Sequence, residues 1–253
     1  MPTLIAVVAE AREDAEVCMG LTKRVVAESA MTPDWIRDDP EQLAEELRFA
    51  GLEPETEFTQ RRRIRAIAEE RALPHKRAIQ RLRSFGSPIG EDFADTWKVV
   101  ALAAADDRNF DAVIVSRDTD GRLERWESWR EVRNTSGPKP VVILAAQHCK
   151  LEAWLLNGFV PKDEAETGRL REEKASMGFD PVTKAERLTA KADQAKKSAK
   201  RVLNRITGDD PERRRSCWEQ TDLMLLRENG EQTGLKEFLD EVEANAIPLI
   251  VRW

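Results

Sequence analysis

The chain has 253 residues, of which 41% are apolar and 35% charged, with a formal net charge of −6. That is enough chain for a sizeable core in a highly charged, helix-rich globular protein, and the acidic balance excludes a uniformly basic nucleic-acid-coating protein. The longest apolar runs, such as Val141 to Ala146, are far too short to span a bilayer.

Residues 3–9 read as an apolar strand ending at Glu10, with no basic stretch ahead of it to suggest a signal peptide. From Asp14 to about Glu28, Val17, Leu21 and Val25 recur at helical spacing. Residues 32–57 are acidic and punctuated by Pro40 and Pro54, which predicts a short helix between loops. From Phe58 to Phe85, nine Lys or Arg stand against two Glu, in a predicted helical pair broken at Pro74. Residues 91–105 place Phe93, Trp97, Val100, Ala101 and Ala104 on one helical face.

The second apolar strand, 111–116, runs into Arg117-Asp118-Thr119-Asp120-Gly121. A helix bearing Trp126 and Trp129 follows, then a third strand over 141–146 and a helix opening at Leu151. Apolar strands separated by helices predict an α/β fold, a parallel sheet covered on both faces. Past residue 160 the pattern is nearly all helical. Ala185, Leu188, Ala192, Ala195, Ala199, Val202 and Ile206 predict one long helix over 184–206, with helices over 211–227 and 233–245 beyond it. Ile247 to Val251 reads as a late edge strand.

The strand ends carry the chemistry. In an open parallel sheet, functional groups gather beyond the C-terminal strand ends. Acids stand there in each case: Glu10 after the first strand, Asp118 and Asp120 after the second, Glu152 past the third. Hard carboxylate oxygens suit Mg²⁺ or Mn²⁺, one ion or two, which would activate water against a phosphodiester. Asp14 is either a further ligand or the cap of the helix it opens. His148 reads as a packed or capping histidine near the third strand end, and the seven tryptophans read mainly as core. Two histidines are too few for a His-rich metal site, and the three widely spaced cysteines fit neither a disulfide framework nor a zinc site. A reducing cytoplasm is the expected location. With no tyrosine anywhere, a tyrosyl nucleophile is excluded.

Ala9-Glu10-Ala11-Arg12-Glu13-Asp14 resembles the Val-Glu-Gly-x-x-Asp signature of Toprim domains, with Ala11 where glycine is usual. Val113-Ile-Val-Ser-Arg-Asp118-Thr-Asp120-Gly121 resembles their Asp-x-Asp strand end. Lys150-Leu-Glu152-Ala-Trp-Leu-Leu-Asn157 is similar to a segment of small stand-alone Toprim-like proteins, often encoded beside ABC-type ATPases related to the overcoming-lysogenisation-defect nucleases; Lys200-Arg201 and Asp222-Leu also look similar. The resemblance implies a Rossmannoid catalytic domain over residues 1–160, with a helical insertion at about 32–90 and a helical annex over 161–253. It further implies a Mg²⁺- or Mn²⁺-dependent nuclease acting on DNA or RNA, tRNA included. Glu10, Asp118 and Asp120 would then be catalytic metal ligands, with Glu152 and Asp14 as further ligands, and the protein the effector of an ATPase-coupled antiphage defence system.

Cations flanking such a centre would hold the phosphate backbone: Arg61, Arg62, Arg63 and Arg65, followed by Lys76, Arg77, Arg81 and Arg83, and later Lys197, Lys200 and Arg201. Two alternatives remain open. One is a non-catalytic Toprim scaffold that binds an ATPase. The other is a haloacid-dehalogenase-type phosphatase using Asp118 and Asp120 with Asp209-Asp210, against which Ser116-Arg117 stand between strand and motif.

Overall fold

The computed structural model describes residues 2–71 and 90–251. The cations Lys76, Arg77, Arg81 and Arg83, and the second half of the helical pair expected around Pro74, lie outside them.

The fold is α/β, with helices flanking a five-stranded parallel sheet. β1 (Thr3–Ala9) is buried along almost its whole length, as a strand covered on both faces must be. α1 (Arg12–Glu28) buries the expected Val17, Leu21 and Val25. The 32–57 stretch departs from expectation. It holds two short helices, α2 (Asp34–Arg37) and α3 (Pro40–Glu46), and then an edge strand, β2 (Leu47–Ala50). Asp39 starts α3 by accepting from the backbone N–H groups of Glu41 and Gln42. β2 pairs in parallel with β1 from Thr3↔Leu47 to Ala6↔Ala50, and β3 (Thr59–Gln60) pairs with the far end of β1 at Val8↔Thr59. Strands of four and two residues are too short to show a period, and their partner lies far away in sequence.

A 3₁₀ turn over Arg61–Arg63 leads into α4 (Ile64–Glu70), followed by α5 (Glu91–Ala104), β4 (Ala112–Asp118), α6 (Leu123–Thr135), β5 (Val141–Gln147) and α7 (Leu151–Asn157). The strand order is β2-β1-β4-β5, with β4 parallel to β1 from Ile5↔Ala112 to Val8↔Val115. β4 extends through Asp118, so Ser116 and Arg117 belong to the strand and do not separate it from the Asp-x-Asp.

After α7 come α8 (Glu164–Met177), α9 (Ala199–Thr207), α10 (Pro211–Glu219), α11 (Leu223–Asn229), α12 (Leu235–Asn245) and α13 (Ile247–Ile250). The long helix expected over 184–206 is not formed. Its first part is a 3₁₀ turn at Ala185–Arg187, then a loop closed by a Thr189↔Ser198 bridge, and the Ser198 side chain caps α9 by accepting from the Arg201 N–H. Ala192, placed on the expected seam, is exposed. Alanine offers too little apolar area to hold a helix against better local hydrogen bonds. The helix expected over 211–227 is likewise two. Thr221 donates to the Gly158 carbonyl at 2.6 Å, and Asp222 caps α11 through the N–H groups of Met224 and Leu225. The late edge strand is the short helix α13, with Pro248 in its first turn, where a missing N–H costs nothing.

Two compact units form: Met1–Arg117 with Arg122–Ala145 and Glu241–Trp253, and Asp118–Gly121 with Ala146–Asp240. In the first, Ile5, Val7, Ile114 and Ile143 are fully buried, and the Glu241 carboxylate accepts from Leu144 N–H at 2.9 Å and pairs with Arg133. In the second, Trp154 stacks on Phe238 at 5.4 Å and donates its Nε1–H to the Thr233 carbonyl, so it is core. Arg213 there grips Glu166 through two bonds of 2.7 and 2.9 Å, both side chains being buried. Among the described residues, no helix is long and apolar enough to cross a membrane.

Candidate functional site

In the first unit β1 leads into Glu10, whose exposed carboxylate lies 3.4 Å from Arg61 Nε and 3.7 Å from Arg117 Nε. Asp14 faces the backbone instead. Its Oδ2 accepts from the N–H of Ala11, the N-cap residue, at 2.8 Å, so Asp14 caps α1 from its third position.

Arg117 is the residue that sequence reasoning passed over. It is only 5% exposed, in a strand otherwise apolar up to Ser116. Its Nη2 pairs with Asp92 Oδ1 at 2.5 Å and its guanidinium lies 5.3 Å over the Trp129 ring. Its Nε and Nη1 are buried without a hydrogen-bond partner among the described residues. Burial pulls its pKa down, the Arg61 and Arg125 charges pull the same way, and Asp92 and Glu10 oppose them. The available signal was the lone arginine in an apolar strand, since a charge is buried only where something answers it.

A cavity of about 260 Å³ opens beside it, lined by α4 and α5 and by the ends of β1 and β4. Among the described residues Arg61, Arg62, Arg65, Lys98 and Arg117 supply its cations, and Asp95 its one carboxylate. Asp95 accepts from Arg61 Nη1 at 3.3 Å and from Lys98 Nζ at 3.0 Å. The other predicted cations of that segment have partners of their own. Arg62 bonds the Gln60 side chain, Arg63 pairs with Glu53 and Arg65 with Glu69.

In the second unit the Asp118-Thr-Asp-Gly turn is pinned by its middle residue. Thr119 is fully buried, its N–H donates to the Gln147 carbonyl, and its Oγ1 accepts from the N–H groups of Gly121 and Cys149, each at 3.3 Å. Asp120 and Gly121 both have positive φ, 51° and 74°, a conformation Asp and Gly tolerate best. This leaves Asp118 half-buried and Asp120 exposed. Burial raises the Cys149 thiol pKa, and the charges of Asp118, Glu186 and Asp120 raise it further, so three carboxylates share that neighbourhood.

Glu152 sits on the first turn of α7, where its charge helps to raise Lys200 behind the larger effect of the Lys200–Asp193 pair, 3.0 Å long. Arg201 is tied to buried Glu173 by bonds of 2.9 and 2.7 Å, while Lys197 is exposed. The basic face expected on one long helix is thus divided between a loop and α9. The His148 backbone N–H donates to the Thr233 carbonyl at 2.9 Å. Asp210 caps α10 through the Glu212 N–H, an ordinary helix-start role for an acid that the phosphatase reading would use on a metal.

Compared with protein families, curated proteins and solved structures, the chain matches none of them.

Function therefore has to come from the chemistry of these residues. Among the described residues, no group of three or more His, Cys, Asp or Glu side chains is gathered as a metal site. Glu10 belongs to the first unit and Asp118 and Asp120 to the second. The donor set itself, carboxylates on strand ends, is of the kind that hard divalent cations take.

Proposed function

We propose that the protein is a divalent-metal-dependent nuclease, hydrolysing phosphodiester bonds of DNA or RNA, with Glu10, Asp118 and Asp120 as the metal-binding and catalytic acids. The observation that carries this reading is topological. β1 and β4 are neighbours, run parallel, and pass directly into Glu10 and into Asp118-Thr-Asp120. Glu152 is the further ligand candidate; Asp14 is better accounted for as a helix cap. When bound, Mg²⁺ or Mn²⁺ would neutralise the phosphodiester and supply an activated water. Thr119, fixed by three backbone bonds, holds the Asp-x-Asp backbone in one conformation, as orienting acids toward a phosphate requires. Arg61 and Arg117 hold Glu10 in place and present guanidiniums to a phosphate.

A partnership with an ABC-type ATPase, and an effector role in antiphage defence, rest on the resemblance to stand-alone Toprim-like proteins. A cytoplasmic location accords with three free, buried thiols. A phosphatase with Asp118 as nucleophile is the second reading, because β4 carries Asp118 as its last residue. A phosphoaspartate trapped on Asp118 would replace the first reading with this one.

The test uses the wild type, Glu10→Gln and Asp118→Asn with Mn²⁺ on plasmid, single-stranded DNA and tRNA, alongside calorimetric Mn²⁺ titration and circular dichroism. Each substitution is expected to cut cleavage by about a hundredfold or more while leaving the fold intact. Wild-type protein that takes up no divalent ion, or full cleavage by both variants, would sink the proposal.

A further inference from the structure

The cavity in the first unit is built for an anion. Among the described residues five cations and one carboxylate line it; Asp95 holds Arg61 and Lys98 in place, while Glu10, Asp92 and Glu69 pair with Arg61, Arg117 and Arg65 from outside the lining. Arg117 is the most telling of them. Asp92 and the Trp129 ring anchor it on one side, while buried Nε and Nη1 have no acceptor within hydrogen-bond distance among the described residues, Glu10 standing 3.7 Å from Nε. Folded proteins seldom leave buried donors unanswered, and a guanidinium fixed from behind is already oriented for a phosphate.

We propose that this cavity binds a terminal phosphate monoester, carried on a free mononucleotide or on the end of a nucleic-acid strand. A monoester brings close to two negative charges and three acceptor oxygens, which suits a lining of several guanidinium and ammonium donors better than the single charge of an internal phosphodiester. The volume, about 260 Å³, falls below the usual range for drug-sized ligands, so the cavity takes one phosphorylated unit and not a stretch of strand. Val8, Ile64, Val99 and Val115 supply an apolar wall for the rest of that unit. The inference shares Arg61 and Arg117 with the nuclease reading but not its metal acids, because none of Glu10, Asp118 and Asp120 lines this cavity.

The experiment is run on the full chain in EDTA, so that metal-dependent chemistry cannot contribute. Binding is measured by calorimetry for inorganic phosphate, AMP and adenosine. Fluorescence anisotropy is used for short single strands bearing a 5′-phosphate, a 3′-phosphate or neither. A phosphorylated ligand is expected to bind at least about tenfold more tightly than its unphosphorylated counterpart. AMP binding as tightly as any strand assigns the cavity to free nucleotides; a tighter phosphorylated strand assigns it to strand ends. Arg117→Met should abolish the preference. Lys98→Met, at a more accessible position on α5, should weaken it about tenfold even if the Arg117 variant does not fold. Equal binding of phosphorylated and unphosphorylated ligands, or an unchanged preference in Lys98→Met, would overturn the proposal. Loss of cleavage in Asp118→Asn with the phosphate preference kept would bear on the nuclease reading alone, because Asp118 does not line the cavity.

Discussion

Replacing Asp106 by asparagine should remove a defined, pH-dependent share of the stability of the first unit. Asp106 is 9% exposed. Its Oδ1 accepts from Arg108 Nε at 2.8 Å and from the Arg108 N–H at 3.1 Å; its Oδ2 accepts from Arg108 Nη2 and Arg71 Nη1, both at 2.9 Å. Both arginines also donate to the Leu52 carbonyl, so the carboxylate ties the end of α4, the loop after α5 and the segment after β2 together. The side-chain bond from Arg108 takes the Asp106 pKa from 3.8 to about 2, against the opposing effect of burial and helped by the Arg108 backbone and by Arg71. At about 1.4 kcal/mol per pKa unit, that shift is worth about 2 kcal/mol. The folded-state pKa is depressed, so this stability is fully present above the unfolded value of 3.8 and disappears as pH falls towards about 2. Asp106→Asn should therefore cost about 2 kcal/mol at neutral pH and flatten the loss of stability across that acid window. Urea unfolding followed by circular dichroism at several pH values reads both effects. A variant that keeps the wild-type acid slope would refute the reasoning, because the slope would then belong to other carboxylates.

The buried Arg213–Glu166 pair makes a second case. Arg213→Met should destabilise the protein by about 3–5 kcal/mol, because it strands a carboxylate in the core, whereas the double variant with Glu166→Leu should recover most of that. A single-variant cost below about 1 kcal/mol in denaturant titration would count against a load on this pair. Burial alone would raise the Glu166 pKa; the bonds from Arg213 and the Lys162 N–H outweigh it and lower the pKa, so the pair also loses stability on acidification. The cysteines should be inert. Burial pushes Cys18 up to about 12 and Cys217 up to about 11, and raises Cys149 as well. A thiol reagent at mildly alkaline pH should modify none of the three within minutes in the native protein, and all three after denaturation. Rapid labelling of Cys149 alone would show that the Thr119–Cys149 turn opens.

What the sequence determined by itself was everything carried by local period and local chemistry. β1, β4 and β5 are continuous apolar runs and α1 and α5 are amphipathic over several turns, patterns strong enough to hold in this fold. The strand-end acids Glu10, Asp118 and Asp120 were legible for the same reason, since they directly follow or close those runs. Only tertiary structure could supply β2 and β3, four and two residues long, which exist because β1 offers them backbone partners. Tertiary structure also divided the 184–206 stretch, where Ser198 and the Thr189 bridge outcompete an alanine seam that buries too little. It gave Arg117 its place, between Asp92, Trp129 and a cavity, from three segments distant in the chain. Periodicity reports which side of an element is buried. It does not report which charge lies opposite, and that depends on residues far apart in the chain that only the fold brings together.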